Sequence, residues 1–321
     1  MEPDGSDNAT GAERDLASYN MAIVGGGVAV VASVIFASLL MGQHYVKYWT
    51  QPSQQWNVLK IIFLAPLFAL SAFVGLLELN HDLEQFAHAL DMVKECYEAV
   101  AIHAFLMLMY DLCGLSSMHL SGKAPIPDNI KGRDLHIPFP LSLIIKDHPH
   151  LDLVWINTLK RWTMQFVLVR PILSLIDLLF VDWYPVPFDT ALSVLITIGL
   201  NVSMTLAFMA LMTFYHAFEK ELAPFRPLAK FACIKGVVFF ATWQGILLKI
   251  LAHPHVALLH EGYRFSVDEV GAAWHDFLVC LEMGLLFSPL HAYAFPPKAY
   301  AMSATGERVG KGEMKAKKES Q

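Results

Sequence analysis

Long uncharged runs alternate with short polar stretches along most of the chain, and the runs set the predicted architecture. A helix needs about 20 residues to cross the hydrocarbon core of a bilayer. Seven runs reach that length: about Met21–Met41, Val58–Leu77, Phe86–Leu115, Trp162–Val181, Ala191–Phe214, Phe231–Leu251 and Val270–Tyr293. Lipid offers no partner to backbone N–H and C=O groups, so each run is expected to be a helix. Pro66 and Pro171 fall inside the second and fourth runs and predict kinks there. The expected fold is all-α, a polytopic seven-helix bundle. Residues 1–20 form a polar N-terminal tail, 21–297 the membrane domain, and 298–321 a basic tail too poor in apolar residues to fold.

Composition agrees. Of 321 residues, 55% are hydrophobic and 16% charged, against about 25% charged in soluble domains. Mean hydropathy is +0.44. The net charge of -6 says little, because in a membrane protein the placement of charge outweighs its sum. Lys47, the basic residues from Lys123 to Arg161, the trio Lys220, Arg226 and Lys230, and the Lys298–Lys318 tail all fall on one side of the seven spans. The other side holds only Arg14 and Arg264. This asymmetry predicts an outer N-terminus and a cytoplasmic tail. The opening "MEPDGSDNATGAERD" has no basic region ahead of the first apolar run and does not read as a signal peptide. Asn8, in Asn8-Ala9-Thr10, is then a glycosylation candidate on the outer side. The expected setting is the plasma membrane or an endomembrane such as endosome or vacuole, in contact with lipid and with no nucleic acid. The four cysteines form no CxxC pair, so neither a disulfide framework nor a zinc knuckle is indicated. Cys113, near a membrane edge, is a palmitoylation candidate, with a plain core thiol as the alternative.

Polar residues deep in apolar runs carry the functional information. A charge at the bilayer centre costs about 2.5–3.5 kcal/mol on insertion scales, and such groups usually face a cavity or one another. Glu98, Arg170, Asn201, Gln244 and Glu282 lie at comparable depth in five different runs and could line a polar cavity; buried interhelical hydrogen bonds and ion pairs are the plainer alternative. Glu95 shares a face with Glu98, three residues on. Arg170 is expected to pair with Glu98 or Glu282. In "PLAKFACIKGVVFFATWQG", Lys235 sits four residues past Phe231, about 6 Å into the helix. At about 100° per residue it shares a face with Thr242 and Lys249 and opposes Gln244. Lys235 either snorkels to the surface or, with Lys230 and Arg226, forms a basic collar for an anionic head group.

Other chemistry is weakly supported. His103, His216, His275 and His291 lie near helix ends without a metal-binding motif. The last run, "AAWHDFLVCLEMGLLFSPLHAYAF", has no lysine for a retinal Schiff base. Gly25-Gly26-Gly27 offers a small-residue surface for close helix packing. No cofactor, metal or enzyme activity is expected.

Four stretches are similar to a known family. "ECYEAVAIHAFLMLMYDLCG" resembles its "DCYEA" third helix, and "FVLVRPILSLI" its "QYVIIKP" fourth helix, with Arg170 where lysine is usual. "NVSMTLAFMALMTFYHAFEKELAPFRPLAKFACIKGVVFFATWQG" resembles the helix "SVSLALYGLVLFY" running into "PLLKFLCIKAVVFFSFWQG". "FLVCLEMGLLFSPLHAYAF" resembles the closing "FLICIEMFFAAIAHHYAF". The family is the organic solute transporter alpha-subunit family, and the likeness is closer to its transmembrane protein 184 branch. Glu98, Arg170, Asn201, Lys235, Gln244, Gly245 and Glu282 fall on matching positions. The resemblance implies seven helices and facilitated diffusion of amphipathic organic solutes, steroid- or lipid-like anions, with a single-span partner subunit or a homo-oligomer. The 184 branch is tied instead to vesicle, vacuolar and signalling roles, so a non-transporting receptor or scaffold is the alternative. Two departures weaken the carry-over of steroid substrates and of the partner: the cysteine-rich patch after the third helix is reduced to Cys113, and the 115–160 loop is longer and unlike the family's.

Overall fold

A computed structural model describes residues 5–81, 83–115, 132, 135, 150–183, 189–252 and 265–300. The 115–160 loop, for the most part, and the basic tail lie outside the described residues. The helices are α1 (Gly5–Gly42), α2 (Pro52–Ile62), α3 (Leu64–Glu78), α4 (Glu84–Leu112), α5 (Leu153–Asp177), α6 (Asp189–Ala217), α7 (Glu219–Leu222), α8 (Pro227–Phe231), α9 (Val237–Ala252), α10 (Val267–Glu282) and α11 (Ser288–Ala294). Wider π turns, bonded i to i+5, occupy Gln43–Lys47, Leu178–Trp183, Ala232–Gly236 and Met283–Phe287.

Among the described residues, six helical segments are long and apolar enough to cross a membrane: Glu13–Lys47, Pro52–Glu78, Leu153–Phe180, Thr190–Ala217, Pro227–Leu248 and Val267–Tyr300. The expected third span, α4, has the length but carries Asp91, Lys94, Glu95, Glu98 and Asp111, too many charges for that group. Other boundaries shift too. α1 starts at Gly5 rather than near Met21, so Asn8 lies within the helix. α5 starts at Leu153 because Asp152 caps it, its carboxylate accepting from Trp155 N at 2.9 Å. The exposed side chains of α1 form an apolar stripe of Val24, Val28, Val31, Ile35 and Leu39 at helical spacing, a face that lipid would solvate.

The chain divides into two compact units: Met1–Tyr48, Ile62–Lys94 and Ala229–Ala299 in the first; Trp49–Ile61, Glu95–Leu228 and Tyr300–Gln321 in the second. In the first, small residues bring backbones together. A Cβ on Gly284 would stand 2.7 Å from the Ala29 carbonyl oxygen, so α1 rests directly on the last π turn. Gly25 and Gly26 meet Phe277 and Leu76 respectively, the close packing that the glycine run predicts. Gly236 makes room for Phe287, seating one π turn against another. α1 and the π turn after it are tied to the rest of the unit: Tyr19 OH donates to Leu76 O at 2.8 Å, and His44 Nε2 lies 3.1 Å from Phe295 O.

The second unit centres on the α5–α6 pair. Gln165 and Ser203 bond reciprocally, Nε2 to Ser203 O at 2.9 Å and Ser203 Oγ to Oε1 at 2.8 Å. Tyr110, fully buried at the end of α4, donates to Ile156 O at 2.9 Å and meets Phe214 edge-on at 4.4 Å between centroids.

Candidate functional site: polar seams within the membrane helices

The first unit carries two joined seams of polar side chains. On α3, Ser71, Gly75 and Glu78 recur at spacings of four and three and share one face. Ser71 Oγ donates to Asp91 Oδ1 of α4, and Lys94 Nζ reaches the same oxygen at 2.5 Å while lying 5.6 Å over the Phe68 ring. Gly75 admits Asp276 of α10: a Cβ there would be 2.5 Å from the Asp276 carboxylate. The first seam is therefore Lys94, Asp91, Ser71 and Asp276.

The second seam lies between α9 and α10. His275 and Glu282, seven residues apart, fall on one stripe of α10 and face Ala241, Gln244 and Gly245 of α9. Gln244 Nε2 donates to Glu282 Oε1. His275 joins the seams: Nε2 lies 2.9 Å from Ala241 O and Nδ1 3.2 Å from Asp276 Oδ1. A backbone carbonyl can only accept, so Nε2 carries a proton. The Nδ1–Oδ1 contact then needs a proton of its own, on the ring or on the carboxyl.

The five residues expected to share a cavity are distributed differently. Gln244 and Glu282 meet in the first unit, both half-buried. Glu98, Arg170 and Asn201 belong to the second unit. Glu98 is buried on α4. The Arg170 guanidinium closes on Glu95 at 2.7 Å, which corrects the expectation of Glu98 or Glu282. Glu95 and Glu98 are one turn apart on the same helix, so the register of α5 against α4 decides which acid it meets. Asn201 is also a correction: it is exposed, and its amide donates to Thr197 O one turn back on its own helix at 2.8 Å. A cavity of about 580 Å³ in the first unit is lined by none of the five.

The basic collar is redistributed. Lys230 Nζ donates to Ala294 O at 2.7 Å, capping α11, and lies 5.3 Å over the Phe295 ring. Its ammonium is engaged within the fold rather than held out for a head group. Arg226 ends a short 3₁₀ turn with φ +52° in the second unit. Lys235 is half-buried within the π turn Ala232–Gly236. Such a turn holds more residues than an α turn, so the 100° arithmetic does not carry across it. The side chains of Thr242 and Lys249 lie outside the described residues. Cys113 is half-buried beyond the end of α4.

Ser71, Asp91, His275 and Asp276 escaped the sequence-based site. Asp91 and the His275-Asp276 pair were visible as polar residues inside apolar runs, the same signal that marked Glu98 and Glu282. Nothing in the one-dimensional pattern showed that Gly75 opens a place for Asp276.

Comparison with known proteins adds identity to this geometry. The family described as organic solute transporter Ostalpha has a sequence model that matches residues 22–300. A transmembrane protein 184 homolog of Dictyostelium discoideum is 28% identical over 263 residues, which is 80% of this chain and 49% of that protein. The chain thus spans about half the length of that curated relative. No solved structure matches.

Proposed function

The chain belongs to the organic solute transporter Ostalpha family, and from that premise we propose that it is a transmembrane transporter of amphipathic organic solutes acting by facilitated diffusion. In this reading α4 is a seventh span, the N-terminus is outside, and the 298–321 tail is cytoplasmic. A homo-oligomer or a single-span partner subunit completes the assembly. The observation that supports transport over a passive scaffold is the joined seam from Lys94 through Asp276 and His275, with Glu282 beside it. Titratable groups inside membrane helices are rare and costly, and point by default to solute and ion pathways. The resemblance implies anionic solutes; the engagement of Lys230 with Ala294 removes one of the three cations expected to receive them.

The test is uptake by phosphatidylcholine vesicles containing the purified full chain, with a steroid sulfate and a lysophospholipid as solutes. Saturable uptake above empty vesicles is expected for one or both. Asp276→Asn and Glu282→Gln should each lower it about tenfold, the scale of one lost charge-assisted hydrogen bond, while the protein still elutes as a single species. Protease added outside intact cells should leave the Lys311–Lys318 tail uncut. Uptake no faster than in empty vesicles would replace this reading with the non-transporting scaffold.

A further inference from the structure

Gln244 Nε2 donates to Glu282 Oε1, and that bond accounts for only half of each group. Both side chains are half-buried as wholes. Yet the two remaining oxygens, Gln244 Oε1 and Glu282 Oε2, are shut off from solvent and have no hydrogen-bond partner among the described residues. When the carboxylate is ionised both atoms are acceptors only, so neither satisfies the other. A buried acceptor left unmet costs its full desolvation, and lipid supplies no donor. Ile246 and Leu247 on α9, and Leu285 and Leu286 beyond α10, are exposed apolar side chains that lipid would solvate. Glu282 is also the last residue before the π turn Met283–Phe287, and such turns recur at functional sites.

One proton satisfies both oxygens. A protonated carboxyl is a donor and an acceptor at once, and so is a primary amide. With a proton on Oε2, Glu282 donates to Gln244 Oε1 while the amide goes on donating to Oε1, closing a ring of two hydrogen bonds. The neutral acid also avoids the cost of an ionised group at membrane depth. With the amide turned over, two oxygens would face each other and the same proton would be needed between them. The surrounding charges do not force ionisation. His275, two turns back on α10, is the titratable group that acts on Glu282. Asp276 turns to α3, with Asp91 and Lys94 of α4 in the seam beyond it, and Glu78 ends α3. α1 carries no charged residue after Asp15. Lys235 lies nine residues before Gln244, in the preceding π turn, and the Lys249 side chain lies outside the described residues.

We propose that Glu282 is a proton-binding site of the membrane helices, held as a closed acid–amide pair with Gln244, and that proton and solute compete for this one carboxyl. On release the O–H bond breaks, its electron pair stays on Oε2, and the proton passes to water. The carboxylate then takes a hydrogen bond from a donor group of the solute. The path therefore exchanges a proton for solute at this point. The proton site rests on the geometry of the pair; the exchange rests on the transport reading.

Infrared spectra of the full chain in phosphatidylcholine nanodiscs read the proton directly. At neutral pH, wild type minus Glu282→Gln should show one protonated-carboxyl band that shifts in heavy water. Raising the pH should convert that band to a carboxylate band. Gln244→Leu should move the protonated band to higher frequency, because the carbonyl loses the amide donor. Glutamine at 282 can form the same two-bond ring with Gln244, so the fold is retained; circular dichroism and elution position check this. A carboxylate band in the neutral-pH difference overturns the proton site, and a protonated band that Gln244→Leu leaves in place overturns the pairing. Vesicle uptake of a steroid sulfate reads the exchange. Wild-type uptake should rise as the pH is raised and the site empties, while the residual uptake of Glu282→Gln stays flat. A rise of equal size in the variant overturns the exchange. A protonated Glu282 in vesicles that take up nothing leaves the site standing and removes the transport reading. Uptake together with a carboxylate band at neutral pH does the reverse.

Discussion

The two units of this chain both carry polar side chains on apolar helices, and they dispose of them in different ways. In the second, polar groups close on single local partners. Arg170 meets Glu95, Gln165 and Ser203 exchange hydrogen bonds, and Tyr110 caps a carbonyl. These contacts resemble the interhelical bonds that hold membrane helices together, each of modest strength. In the first unit the polar groups are strung together. His275 touches both Asp276 and a carbonyl of α9, and Glu282 shares its stripe with His275. The same unit concentrates glycine contacts and contains three of the four π turns among the described residues. Pairs of fixed partners serve packing; under the proposed transport reading, the joined titratable groups of the first unit are the path.

The contrast can be broken most sharply at the backbone. Gly284→Ala forces a methyl against the Ala29 carbonyl and should destabilise the detergent-solubilised protein by about 2–3 kcal/mol, the upper range for overpacking. Gly42→Ala, with no neighbour within 4 Å, should be neutral or gain about 0.5–1 kcal/mol from the lower chain entropy of alanine. Equal melting temperatures for the two variants would dissolve the claim that α1 rests on the last π turn.

In the second unit the ion pair gives the next largest effect. Arg170 is the more buried partner, its side chain 16% exposed against 45% for Glu95. Arg170→Ala should cost about 2 kcal/mol, less than a fully buried pair because Glu95 can still reach polar surroundings. Adding Glu95→Ala should recover part of that loss, with a coupling of about 1 kcal/mol in a double-mutant cycle. Recovery by Glu98→Ala in place of Glu95→Ala would move the pairing back to the acid first expected.

The smallest effect separates Lys230 from Lys235. Lys230→Met removes one donor from the end of α11 and should lower stability by about 1 kcal/mol, seen as a reduced melting temperature. Lys235→Met should leave melting nearly unchanged and lower uptake, with Lys235→Arg retaining it. The opposite pattern would make Lys235 the structural lysine.

The sequence by itself determined that the chain is helical and membrane-embedded, because apolar run length and the absence of backbone partners in lipid leave no other solution. It also carried the family in its motifs. Only the tertiary structure decided which polar groups meet. Glu95 rather than Glu98 receives Arg170 through the register of two helices, which no single-helix periodicity contains. Asn201 turns back on its own helix because the Thr197 carbonyl is within reach one turn away, a local option that depth alone does not reveal. The π turn at Ala232–Gly236 breaks the regular angle on which the placement of Lys235 rested. The Asp276–His275 junction depends on a side chain that Gly75 lacks, and an absent Cβ becomes a place for a carboxylate only once another helix is packed against it.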